Sequence, residues 1–249
     1  MGIDYLQLKR IKSIANKLTL VGIKCHVEER GEDVIFYVIK TRLATNTLEI
    51  PEGVTGISFR DELGFNWSGG KRKPSSSGYM DAVQNSVMIN IEHIKLPTTM
   101  KVAWSNTFNS VCGIKRVTLA EGCREIEDYA FHYCSGLTEI DLPETLEKIG
   151  ACVFSGTNFK KFIIPPNVTH IEKGILMSCE ELQELVVEGN IDDIPADMCY
   201  GNIKLKSVKI SNCHGRIGEK AFKGCGLTEI KIPENVEANR RELLKVTNT

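Results

Sequence analysis

The chain contains no stretch approaching the roughly 18 consecutive apolar residues of a membrane-spanning helix. Its first residues, MGIDYLQLKRIKSIANKL, spread charge throughout instead of placing a charged start before an apolar run, so they do not read as a secretory signal. Neither sign of charge is in excess: the net charge is −1, no large basic face announces nucleic acid, and a nucleic-acid partner is not expected. The nine cysteines, Cys25, Cys112, Cys123, Cys134, Cys152, Cys179, Cys199, Cys213 and Cys225, include no C-x-x-C pair, which removes the commonest zinc and redox patterns. An odd number of thiols suits a reducing compartment, so the expected location is the cytoplasm. A secreted or surface location is the alternative if a signal has been trimmed away.

Catalytic patterns are missing as well. Ser68 in NWSGG lacks the preceding glycine of G-x-S-x-G, and GGKRKPSS lacks the spacing of a phosphate-binding loop. Cys213 beside His214, and His132 near Cys134, supply two donors each, too few for a zinc site. The expectation is a protein that is not an enzyme and carries no metal or cofactor.

What the sequence does have is a repeat. LTEIDLPETLEKIGACVF from Leu137 aligns with LTEIKIPENVE from Leu227, and further copies begin at Ile91, Ile114, Phe159, Leu182 and Leu205, with steps of 23, 23, 22, 23, 23 and 22 residues. Periods of this length belong to solenoids, in which each unit buries its apolar residues only against its neighbours. An eighth copy, TNTLEIPEGVTGI from Thr45, lies two periods before Ile91. The intervening unit is replaced by a Gly/Ser-rich insertion, 68–88, expected to be a solvated loop.

Numbering each unit from its first residue, positions 4 and 6 are apolar, as in Ile94 and Leu96, Val117 and Leu119, or Leu185 and Val187. Period-two alternation makes this a short strand with positions 3 and 5 on the opposite face. Proline follows at Pro51, Pro97, Pro143, Pro165 and Pro233, where its missing N–H ends the ladder. Further inward positions follow, for example Val54, Leu146 and Val168, then Ile57, Ile126, Ile149, Ile171, Ile194 and Ile217. Position 18 is aromatic at Phe108, Phe131, Phe154 and Phe222, and becomes Leu176 and Cys199 in two units, which predicts an aromatic spine.

The pattern L-x-x-I-x-[LI]-P…A-F-x-x-C, carried by Ala130, Phe131 and Cys134 and again by Ala221, Phe222 and Cys225, resembles the BspA-like leucine-rich repeat over about residues 45–237. The resemblance implies a curved right-handed solenoid with a parallel sheet, in a family of bacterial and protist proteins that adhere to or bind other proteins. It implies no catalytic residues. Position 21, where Cys134, Cys179 and Cys225 fall, is then a packing position.

The ends need covering. Residues 1–44 are expected to form an N-terminal α/β cap: Leu8, Ile11, Ala15 and Leu18 recur at helical spacing, and two β runs flank the turn EERGED. Residues 238–249, with Leu243, Leu244 and Val246, are expected to form a short C-terminal cap.

The strand alternation also selects the outward side chains. His93, Lys95 and Arg116 form a basic end, Glu139 and Asp141 an acidic pair, and Ile163 and Val186 an apolar centre with Lys161, Glu184 and Lys209 around it. An apolar centre with a polar surround is the anatomy of a protein interface, so a protein partner on this face is expected. Trp67, Lys71, Arg72, Lys73 and Tyr79 in and around the insertion are a second candidate contact, to a protein or, as an alternative, to nucleic acid.

Overall fold

A computed structural model of the chain describes residues 4–20, 23–41, 45–59, 91–233 and 236. It opens with helix α1 (Tyr5–Leu20), whose first turn is capped by Asp4: the Oδ1 atom accepts the Gln7 N–H at 2.8 Å. Leu8, Ile11 and Ala15 are buried on one stripe, and Leu18 packs partly against it. Strands β1 (Ile23–Arg30) and β2 (Asp33–Thr41) form an antiparallel hairpin around a two-residue turn. Gly31, at φ +66°, takes the first turn position, where a left-handed backbone is needed.

The solenoid follows as β3 (Thr45–Glu49), β4 (Gly56–Phe59), β5 (Ile91–Lys95), β6 (Val102–Ala103), β7 (Arg116–Thr118), β8 (Glu125–Ile126), β9 (Glu139–Asp141), β10 (Lys148–Ile149), β11 (Lys161–Ile164), β12 (His170–Ile171), β13 (Glu184–Ile191), β14 (Ser207–Cys213) and β15 (Glu229–Lys231). All pairing within the coils is parallel, and the registers match equivalent repeat positions: Leu48 opposite Ile94, Ile94 opposite Val117, Val117 opposite Ile140. This is the parallel-sheet repeat solenoid that the periodicity predicts.

Because β3 pairs directly with β5, the coil begun at Thr45 stacks on the coil begun at Ile91. The unit that the spacing leaves out is therefore no vacancy in the stack. Residues 60–90, which include the 68–88 insertion, lie outside the described residues.

Three hydrogen-bonded lines run along the stack of coils. The first is the strand at positions 3–5. The second is the short strand at positions 12 and 13, which stacks as β6-β8-β10-β12. The third is a line of N–H groups from positions 16, 18 and 20 donating to the next coil, as in Tyr129 to Ala151, Phe131 to Val153 and Tyr133 to Ser155 at 2.8–3.0 Å. The third line needs unusual backbone. Positions 16 and 20 are left-handed in coil after coil: Asn106 and Ser110, Tyr129 and Tyr133, Cys152 and Gly156, Gly174 and Ser178, Asp197 and Gly201, Lys220 and Gly224.

Between these lines the core is continuous from α1 to Val236. Ile57, Ile126, Ile149 and Ile194 are fully buried, each contributing about 1.5–3 kcal/mol relative to exposure. The aromatic spine holds over three rings, Phe108 on Phe131 at 4.8 Å and Phe131 on Phe154 at 5.6 Å, both nearly parallel. Beyond Phe154 it turns aside into Phe159 and Phe162, 5.8 and 4.9 Å away.

That turn accompanies a break in the strand face. The strands form two four-stranded sheets, β3-β5-β7-β9 and β11-β13-β14-β15, with no ladder between β9 and β11. Phe159 and Phe162 occupy positions 1 and 4, where the other coils have Ile, Leu or Val apart from Thr45, and the coil from Leu137 to Phe159 is one residue short. Both rings pack on Phe154 beside the break, and Ile140 and Leu142 next to it are only partly buried.

The N-terminal segment covers the first coil. Strand β4 pairs in parallel with β2, Phe36 opposite Ile57, and the Thr55 N–H donates to the Val34 carbonyl at 2.9 Å. On the other side of β4, the Trp104 indole lies directly against Gly56, where only a residue without a Cβ leaves room. The 238–249 segment lies outside the described residues.

Candidate functional site

The outward positions fall where the alternation puts them. His93, Arg116 and Glu139 are in register across β5, β7 and β9, as are Lys95, Thr118 and Asp141. Across the break, Lys161 lies opposite Glu184, and Ile163, Val186 and Lys209 line up on β11, β13 and β14. The ten residues thus divide five and five between the two sheets. Trp67, Lys71, Arg72, Lys73 and Tyr79 lie outside the described residues.

On the first sheet the charges satisfy one another. Arg116 donates from Nε and Nη2 to Asp141 at 2.9–3.1 Å and lies 3.5 Å from Glu139. Thr118 donates to the same Asp141 carboxylate, and the His93 Nε2 is 2.8 Å from the Thr118 hydroxyl. Lys95 reaches back to Glu49 at 2.7 Å. Partial burial pulls the Asp141 carboxyl upward, but the Thr118 and Arg116 hydrogen bonds and the Arg116 charge outweigh it, leaving a net lowering. His93 is lowered, first by partial burial and then by the Arg116 and Lys95 charges. A bidentate Arg–carboxylate network of this kind holds three coils in register.

The second sheet differs. Lys161 pairs with Glu184 at 3.1 Å. Beside that pair, Ile163 is 44% exposed on an otherwise regular strand, and Val186 next to it is half-buried. Ile163 has no strand neighbour on its amino-terminal side, because the sheet break lies there. Lys209 is exposed and makes no hydrogen bond or ion pair among the described residues.

The cysteines serve the coil. The Cys134, Cys179 and Cys225 thiols donate to the carbonyls of Phe108, Phe154 and Cys199, at position 18 of the preceding coil, at 2.8–3.2 Å. Burial raises Cys179 to about 11 and Cys225 to about 12, and lifts Cys134 and Cys199 well above the ordinary thiol value. All nine cysteines are free. Among the described residues no group of three or more His, Cys, Asp or Glu side chains could hold a metal ion, and no helix is long and apolar enough to cross a membrane.

A shallow cavity of about 400 Å³ lies over β8, β10 and β12, lined by Glu125, Glu127, Asp128, Lys148, His170 and Glu172 among others. Two of its carboxylates are engaged in holding turns: Glu127 accepts from the Ser105 N–H and hydroxyl at 2.8 and 3.0 Å, and Asp128 accepts from the Ala151 N–H at 2.8 Å.

Sequence reasoning missed the exposed aromatics Tyr129, Tyr133 and Tyr200. Tyr129 and Tyr133 flank His132 at ring distances of 5.3 and 4.2 Å, both in the left-handed backbone that Gly, Asn, Asp and Ser occupy at most equivalent positions. That departure from turn-type residues at positions 16 and 20 is the signal that would have found them.

The model of the BspA type leucine rich repeat region matches six copies, over residues 85–183 and 192–246. A leucine-rich repeat protein from Bacteroides ovatus ATCC 8483 is similar in fold, with a TM-score of 0.58 at 19% identity over 86% of this chain. The chain spans only 58% of that protein. The T. pallidum leucine rich repeat protein gives a TM-score of 0.51 at 15% identity, covering 90% of this chain and 94% of its own. No curated protein matches significantly. With its coils matched over more than half its length, the chain belongs to the BspA-type leucine-rich-repeat family.

Proposed function

We propose that the chain is a non-enzymatic interaction module that binds a protein partner through the strand face centred on Ile163 and Val186. The observation that carries this reading is the exposure of Ile163, in register with Val186, on a regular strand. The strand could be satisfied there by a polar residue, as it is at Thr118 and Lys209. A partner that covers both side chains gains roughly 25 cal/mol for each Å² of apolar surface removed from water. The repeat scaffold supplies the rigid, extended face on which such partners dock.

Capture of the native partner by the wild-type chain and by an Ile163→Asp/Val186→Asp variant tests the reading. Capture is expected to fall at least tenfold while the melting transition stays cooperative. Undiminished capture by the folded double variant would overturn it. A cytoplasmic location accompanies this reading, supported by nine free thiols. A surface or secreted adhesin is the second reading, favoured by the family. Fractionation of the source cells separates the two.

A further inference from the structure

We infer that the outward face of α1 docks on a membrane surface bearing anionic lipid, drawn there by Lys9, Arg10 and Lys17 and anchored by Tyr5 and Leu6. The face belongs to the N-terminal segment, so the inference does not rest on the strand-face reading above.

The helix carries charge of one sign. Over Tyr5–Leu20 it holds Lys9, Arg10, Lys12 and Lys17 and no Asp or Glu, in a chain whose net charge is −1. Its buried stripe, Leu8, Ile11 and Ala15, is already used inside the fold. Helical spacing sets Leu6, Arg10, Ser13 and Lys17 on one stripe on the opposite side, with Tyr5 and Lys9 beside it. All six are exposed. Lys9, Arg10 and Lys17 form no hydrogen bond or ion pair with the described residues, whereas Lys12 is paired with Glu29 of β1 at 3.2 Å. The other carboxylates of the N-terminal segment are engaged as well. Asp4 caps the first turn, Glu28 accepts from Arg30, Asp33 accepts from the Thr55 hydroxyl, and Glu32 is not free. Three cations on the outward face are therefore uncompensated by the chain's own groups.

Charge alone would suit any polyanion, and the apolar residues narrow the choice. Tyr5 and Leu6, 76% and 75% exposed, are the most exposed large apolar side chains among the described residues, and both sit at one end of the basic stripe. A nucleic-acid backbone would pair with the cations but give Leu6 nothing apolar to enter. A helix face is convex, so its occupant must conform to it. A fluid interface does so, and takes apolar side chains into the boundary between headgroups and acyl chains. Near an anionic leaflet each Lys or Arg strengthens the attraction about fivefold, so three supply on the order of a hundredfold, and burial of Leu6 adds about tenfold.

Co-sedimentation of the full chain with lipid vesicles tests this. Binding to phosphatidylcholine vesicles with about 30% phosphatidylserine is expected to exceed binding to pure phosphatidylcholine at least tenfold, and to fall at least tenfold on raising salt from about 50 to about 500 mM. Lys9→Glu/Arg10→Glu/Lys17→Glu is expected to lose at least about tenfold and Tyr5→Ser/Leu6→Ser at least about fivefold, each with a cooperative melting transition. Equal binding to the two kinds of vesicle, no binding to the anionic ones, or full binding by either variant would overturn the inference. A DNA or RNA duplex that displaces the vesicles and binds Tyr5→Ser/Leu6→Ser as well as the wild type would place nucleic acid on the face, and would also overturn it.

Discussion

Asn202 donates through Nδ2 to the Leu176 carbonyl at 2.9 Å, the same bond that a cysteine thiol makes in three other coils. Position 21 is thus a donor slot aimed at the position 18 carbonyl of the coil before, and thiol and amide fill it interchangeably. Asn202 does one thing more: its Oδ1 accepts the buried Cys179 N–H at 2.8 Å. Replacing it with alanine leaves a buried carbonyl and a buried N–H without partners, each a penalty of about 1–3 kcal/mol. Asn202→Cys restores one of the two bonds. In urea unfolding, Asn202→Ala is expected to be the less stable of the pair by about 1 kcal/mol or more. Equal midpoints for the two variants would show that the slot does not work as a donor.

Gly156 sits under the Tyr133 ring. A Cβ built there would stand 2.5 Å from the ring's Cδ1, and the backbone is at φ +72°. Gly156→Ala therefore combines a clash with a left-handed alanine, for a loss of about 1–3 kcal/mol. Tyr133→Ala removes the clash but not the backbone strain. The two substitutions together are expected to lose less than the sum of the singles, a coupling that a double-mutant cycle in thermal or urea unfolding measures directly. Additive losses would mean that the ring simply swings away.

Most of the coil was legible because each position in a repeat has one physical job, and one residue class does it in most units. Isoleucine stands at position 13 in six of them and proline after the strand in five. Where Glu188 and Ser211 stand in place of proline, β13 and β14 run on to Ile191 and Cys213, although Ala120 stands there too and β7 ends at Thr118. The break between β9 and β11 was not legible, because Phe159 and Phe162 satisfy the same apolar pattern as Leu or Ile, and only their volume differs. The outward positions of the candidate face followed from alternation alone. Which of their charges are mutually engaged did not, since side-chain reach across coils decides whether Arg116 finds Asp141.

His132, held between Tyr129 and Tyr133, is lowered by burial to about 4. In the unfolded chain its value is about 6.5. Above that pH both states are neutral and the histidine has no influence. As pH falls below it the unfolded chain takes up a proton that the folded chain refuses, so stability drops until the folded value near 4 is passed. His93, lowered more weakly, acts in the same direction. Denaturant unfolding between pH 7 and about 4.5 is therefore expected to show a steeper decline for the wild type than for His132→Gln. Parallel curves would show that the ring is solvated when charged.

Three cysteines, Cys25, Cys112 and Cys152, are half-buried and six are buried. Only the thiolate reacts, and burial raises Cys25 to about 12 and the buried position 21 thiols to about 11 or above. Native protein is expected to label at no more than these three sites with a thiol reagent near neutral pH, and at all nine once unfolded. The order of appearance in rising urea carries further information, because a solenoid opens coil by coil when its interfaces differ in strength. Cys225 lies in the last coils described, with β15 as the only described strand beyond it, whereas Cys179 has coils stacked on both sides. Mass-spectrometric mapping is expected to find Cys225 labelled at lower urea than Cys179. Simultaneous labelling of the two would show that the whole stack melts as one unit, with the carboxy-terminal end as firmly held as the middle.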